Sequence, residues 1–170
     1  MLNKSLGKII ALIVVLFVLV NTGCYTFSGA SISPDIKSVT ILHFPNRASI
    51  VQPVLSQAFT EKMKDKFISQ TNLRIIDSDA DLLFEGYIND YQTQPIAIQG
   101  NETAALNRLT ITVFVKFVNQ KDIKQNFETT FSRFYDYDSK LSLASVEQEA
   151  INEINKQLVD DIFNRAVSNW

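Results

Sequence analysis

The chain has one cysteine, one histidine and five glycines, none of them clustered. A lone thiol forms no disulfide within the chain, and one histidine with one cysteine cannot build a zinc site or a His-based nucleophile–base pair. Glycines this sparse leave no phosphate-cradling loop. Charge of either sign is not in excess: 16 basic against 18 acidic residues give a net charge of −2, which excludes the strongly basic face that nucleic acid requires. Asp77-Ser-Asp-Ala-Asp81 opens like a calcium loop, but the sixth and twelfth positions hold Leu82 and Ile88 instead of glycine and glutamate, so it reads as a solvated turn. The carboxylate pairs Glu85/Asp90 and Asp136/Asp138 stand in strand and turn contexts without a supporting motif. His43, between Leu42 and Phe44, reads as a packed or edge histidine. No catalytic residue, metal site or cofactor is expected.

Long apolar runs are also scarce. The single one, Ile9–Val20, follows Lys4 and Lys8 and spans twelve residues. As a helix it covers about 18 Å, well short of the ~30 Å hydrocarbon core of a bilayer. A basic start, a short apolar stretch and a small-residue end (Asn21-Thr-Gly23) make a secretory signal peptide. Cys24 follows directly, and the junction looks like the lipobox of bacterial lipoproteins, with cleavage between Gly23 and Cys24 and acylation of Cys24. Asn21 stands where that motif favours leucine. Three parts are expected: a cleaved signal peptide (1–23), a lipidated N-terminus with a short tether (24–36), and one domain (37–170). The mature chain of 147 residues is long enough for a proper core and carries a net charge of −4.

Along that domain, Lys37–Phe44 is apolar and β-branched and predicts a first strand, ending at Pro45-Asn46. Val51, Leu55, Phe59, Met63 and Phe67 recur every four residues, an amphipathic helix that should start near Gln52, with Pro53 in its first turn, and end at Thr71-Asn72. Strands are expected at Leu73–Asp77, Leu82–Thr93 (with a bulge or bend at Gly86), Leu109–Val118 and Asn126–Tyr137. A second helix begins at a capping-box pattern, Ser145-Val-Glu-Gln148, and carries the stripe Ile151, Ile154, Leu158, Ile162. Trp170 is read as a helix-end packing residue. The fold class is α+β, in the order β-α-β-β-β-α. Its mostly antiparallel, mixed sheet has four to five strands, with two helices on one face.

The stretch Tyr87–Phe117 places uncharged polar residues between two long strands, around the apolar triplet Ile96-Ala97-Ile98. A wide hairpin loop needs such residues anyway; a strand pair reaching past the helices toward a partner would need them too. With CYTFSG (Cys24–Gly29), HFPNRA (His43–Ala48), LSQAFTEKMKDKFISQTNL (Leu55–Leu73), Phe84–Val113 and FSRFYDYD (Phe131–Asp138), this stretch resembles the LptE family of lipopolysaccharide-assembly lipoproteins. The resemblance implies an outer-membrane lipoprotein, held by its lipid on the periplasmic side, that plugs and helps assemble an LptD-type β-barrel and assists transport of lipopolysaccharide to the cell surface. Its implied partners are that barrel, lipopolysaccharide and the membrane. The hairpin residues Ile96, Ile98, Gln99, Asn101, Glu102 and Thr103 are then the expected barrel contacts. Lipid A phosphates want cations, and Arg108, Lys116, Arg74 and Arg133 are the expected suppliers, with Lys121 and Lys124 as further strand-end cations. A competing expectation is a lipoprotein regulator of a cell-envelope enzyme, similar to activators of peptidoglycan synthases. A tether of about ten residues reaches only about 30–35 Å, which favours a partner in the same membrane.

Overall fold

The computed structural model describes residues 32–96 and 105–167. Cys24, Trp170 and the loop positions Ile98, Gln99, Asn101, Glu102 and Thr103 lie outside them. Five strands form one mixed sheet: β1 (Ser38–Ile41), β2 (Arg74–Ile75), β3 (Leu82–Ile96), β4 (Leu106–Asn119) and β5 (Phe127–Asp138), in the spatial order β2-β1-β3-β4-β5. Helix α1 (Leu55–Gln70) connects β1 to β2, and α2 (Leu143–Val167) ends the described chain. β1 runs parallel to β2 and β3, while β3, β4 and β5 are antiparallel. This is the expected α+β arrangement, at the upper end of the expected strand number, the fifth being the two-residue β2.

Alternation explains β4. Leu109, Ile111, Val113, Val115 and Phe117 all point to one face and are buried, joined there by Leu82, Phe84, Ile88 and Tyr91 of β3. Both helices lie on that face: Leu55, Phe59, Met63 and Phe67 of α1 and Ile151, Ile154, Leu158 and Ile162 of α2 complete one core. Phe67 is its hub, with ring centroids 5.0 Å from Phe84 and 5.1 Å from Phe163, edge or tilted contacts that add to area burial.

Four local expectations are corrected. Gly86 is not at a bulge. A Cβ there would sit 2.1 Å from the Phe114 carbonyl oxygen and 2.6 Å from Phe44, so the glycine provides close approach of neighbouring groups. The register shift falls instead between Ile88 and Asp90. There the clamp from the β1 side ends: Ile88 N–H donates to Pro45 O (3.0 Å) and Arg47 N–H to Ile88 O (2.9 Å). Beyond it, among the described residues, β3 has a neighbour on one side only and is free to bulge.

The capping box does not form. α2 starts earlier, at Leu143, because Leu143 and Val146 pack on the core. Ser145 Oγ turns back to donate to Ser142 O (2.7 Å), and Gln148 reaches Asn152 instead. α1 starts at Leu55, after a turn in which Leu55 N–H donates to Gln52 O. Finally, Asp81 is more than a solvated turn residue. Its Oδ2 accepts from Lys37 N (2.8 Å), Ser38 N (3.1 Å) and Ser38 Oγ (3.1 Å), and its Oδ1 lies 3.2 Å from Lys121 Nζ.

Candidate functional site

Among the described residues, nothing covers the other face of the β3–β4–β5 sheet. The even residues of β4 point there, and the registers dictate their neighbours. At the end nearest Asp81, Lys116 Nζ sits between Glu85 (2.8 Å) and Glu128 (3.8 Å). The hydrogen bond that Lys116 donates to Glu85, with the carboxylate charges, holds the ammonium above its ordinary pKa. Next come Tyr87 and Phe114, stacked with centroids 5.1 Å apart, and Arg47 covers the Tyr87 ring. Thr112 and Ser132 share a 3.0 Å hydrogen bond. Toward the hairpin, Arg108 donates twice to Asp136 (2.7 and 2.8 Å) and lies 3.6 Å from the centroid of Phe134. Phe134 itself is 46% exposed. The face is therefore built from neutralised ion pairs, hydroxyls and half-exposed rings.

The hairpin grows from the same three strands. Past Tyr91 the β3 limb leaves the helices behind: Thr93, Gln94 and Pro95 are exposed, although the ladder with β4 continues to the Ile96–Leu106 pair. Ile96 is the last described residue of that limb. Beneath it, buried Tyr91 donates to Glu147 of α2 (2.5 Å), and burial together with this bond raises its pKa. This contact ties the base of the hairpin to the first turns of α2.

The four expected lipopolysaccharide cations do not converge. Arg108 and Lys116 share the open face but stand eight residues apart, about 27 Å along a strand. Arg133 points to the helix side, where Asp161 takes it in a bidentate pair (2.6 and 2.8 Å). Arg74 lies at the far sheet edge, in β2, and makes no ion pair with a carboxylate among the described residues. His43 is exposed, its Nε2 3.1 Å from Ser56 Oγ, and Ser56 Oγ in turn donates to Phe44 O. That direction of donation makes the serine a helix-start brace.

Two features escaped sequence reasoning. The Arg108–Asp136 and Arg133–Asp161 pairs each join residues 28 apart, and only the strand register or the helix placement brings them together. The other is the exposed trio Ile50, Val51 and Val54 before α1, of which the four-residue recurrence places only Val51, and places it on the helix stripe.

Comparison with solved structures finds the same fold in a minor lipoprotein from Acinetobacter baumannii. The match has 11% identity and a TM-score of 0.54, and covers 79% of this chain and 94% of that one. A rare lipoprotein B from Shewanella oneidensis matches with 17% identity and a TM-score of 0.44, over 75% of this chain and 92% of that one. Comparison with curated protein sequences gives no match. The family model for LptE, lipopolysaccharide-assembly, matches residues 36–166, from the buried Ile36 before β1 to the last turn of α2, and the chain belongs to that family.

Proposed function

We propose that this protein is an outer-membrane lipoprotein, anchored through Cys24 on the periplasmic side, that plugs and helps assemble an LptD-type β-barrel for transport of lipopolysaccharide to the cell surface. The family match over residues 36–166 carries this reading. It is a family of assembly proteins, and no chemistry is required of the chain.

Three physical features support it. First, Ile32 and Ile36 pack on the core, so only a few residues separate Cys24 from the domain, a short tether that keeps it near its membrane. Second, the open sheet face presents paired charges and hydroxyls, which suit the polar, water-facing interior of a wide barrel. Third, the β3–β4 hairpin runs out at the pole opposite the tether, where it can enter a lumen ahead of the helices.

Within this reading Ile96, Ile98, Gln99, Asn101, Glu102 and Thr103 make the barrel contact. Arg108, Lys116, Arg74 and Arg133 are the candidates for lipid A phosphate. A phosphate reaching Arg108 must displace Asp136 or share the guanidinium with it, whereas Arg74 requires no such exchange. The test is isolation of the tagged, full-length protein from outer membranes. A large β-barrel protein should co-purify, and depletion of this chain should lower the assembled barrel. A preparation that brings down no such barrel discards the plug reading.

A further inference from the structure

The two edges of the sheet are treated differently. One edge is β2, two residues long. The other is β5, twelve residues long, without proline, glycine, lysine or a break in its register with β4. Proteins ordinarily blunt a long edge with such devices, because its unpaired N–H and C=O groups are a template for another strand. The charge that β5 does aim toward the helix side, Arg133, is held against α2 by Asp161.

The register tells which groups are free. Ser139 N–H donates to Ala105 O, continuing the β4–β5 pairing, so the odd residues of β5 turn their backbone groups toward β4. Glu128, Thr130, Ser132, Phe134 and Asp136 therefore turn theirs outward, and no backbone partner meets them among the described residues. On the open face the same residues carry Glu128 and Asp136, with Asp138 at the strand end. Lys116 and Arg108 approach Glu128 and Asp136 from the β4 side, and half-exposed Phe134 lies between.

We infer that the outer edge of β5 is a strand-addition site that takes an extended segment of the barrel partner, one with Lys or Arg where it faces Glu128 and Asp136. This rests on the plug reading above. Backbone hydrogen bonds supply the attachment, and cations opposite Glu128 and Asp136 fix the register. Strands inside a closed barrel are already paired on both sides, so the added segment comes from a loop or terminal extension of the partner. A second copy of this chain fits less well. Two-fold pairing of β5 brings acidic edge to acidic edge, and it puts the two tether poles at opposite ends of strands about 40 Å long.

The test uses strand parity. Thr130→Pro removes an outward N–H and leaves the β4 ladder intact, a substitution that edge strands tolerate. With an unchanged melting temperature, its barrel yield from outer membranes should fall about tenfold, the equivalent of one or two lost hydrogen bonds. Full barrel yield with this folded variant overturns the inference and leaves the plug reading standing. If the variant does not fold, hydrogen exchange on the wild-type complex decides: amides of residues 128–136 slow on complex formation if the edge is used, and unchanged exchange overturns it. A photo-crosslinking residue at position 130 identifies the occupant. Adducts to a basic, extended segment of the barrel support the proposal; adducts only to a second copy, or none, overturn it. If the wild type brings down no barrel, the plug reading falls, and the inference built on it falls with it.

Discussion

Successive residues of β4 live in two different environments. On the helix side Leu109, Ile111, Val113, Val115 and Phe117 are at most 1% exposed and pack against two helices. On the other side Arg108, Thr110, Thr112, Phe114 and Lys116 are half-buried by one another and by their neighbours on β3 and β5. The first set supplies stability, since burial of apolar area is what drives folding. The second set contributes little to it, because solvent-exposed ion pairs are weak even at good geometry. Side chains held in defined pairs on a face that stability does not need are available for recognition. The division of labour is between faces of one strand, two residues of period, and so it can be broken one face at a time.

The largest effect belongs to the core. Phe84 touches both Phe67 and Phe117, with centroids at 5.0 and 4.8 Å, and is fully buried. Phe84→Ala should destabilise the domain by about 3–5 kcal/mol, measured by denaturant unfolding. A loss under about 1 kcal/mol would mean that this face is not the packed core described.

A smaller effect is expected at Asp81, which ties the chain entering β1 to the start of β3. The backbone hydrogen bond from Lys37, with Ser38 and Lys121, lowers its pKa from 3.8 to about 2 despite partial desolvation. Because the folded value lies below the unfolded one, the contribution is complete above about pH 5 and is lost as pH falls through about 2. Asp81→Asn should cost about 1–2 kcal/mol at neutral pH, after allowance for solvent screening, and most of the difference from wild type should be gone by about pH 2. Parallel unfolding curves at both pH values check this, and a gap that persists in acid contradicts it.

The smallest stability effect should come from the open face. Arg108→Ala removes both bonds to Asp136 and the contact with Phe134, all at the surface. Its melting temperature should stay close to wild type, while its recovery in complex with the barrel or lipopolysaccharide drops. A large stability loss without a binding loss would make the open face structural and erase the contrast between faces.

Much of this contrast is written in the sequence as periodicity. The alternation from Leu109 to Phe117 and the four-residue recurrence from Leu55 to Phe67 are legible because each side chain's environment is set by its own element. What could not be read depends on distant partners. Gly86 looked like a bend because its neighbours, Phe44 and the Phe114 carbonyl, are far away in the chain. Ser145 and Gln148 match a cap, but Leu143 has core surface to cover and draws the helix start back. At the site, Arg108 stands out by its place beside a polar loop, yet its partner Asp136 follows only from the β4–β5 register. Asp81 looked like one carboxylate among three in a turn, and its role appears only when β1 lies beside it.

In the proposed function, the hairpin end of the open sheet meets a membrane barrel. Replacing residues 96–103 with a short Gly-Ser hairpin tests it most directly, with unfolding and co-purification from outer membranes measured on the same variant. The variant domain should unfold like wild type and bring down much less of the barrel. A folded variant that recovers the barrel in full would contradict it.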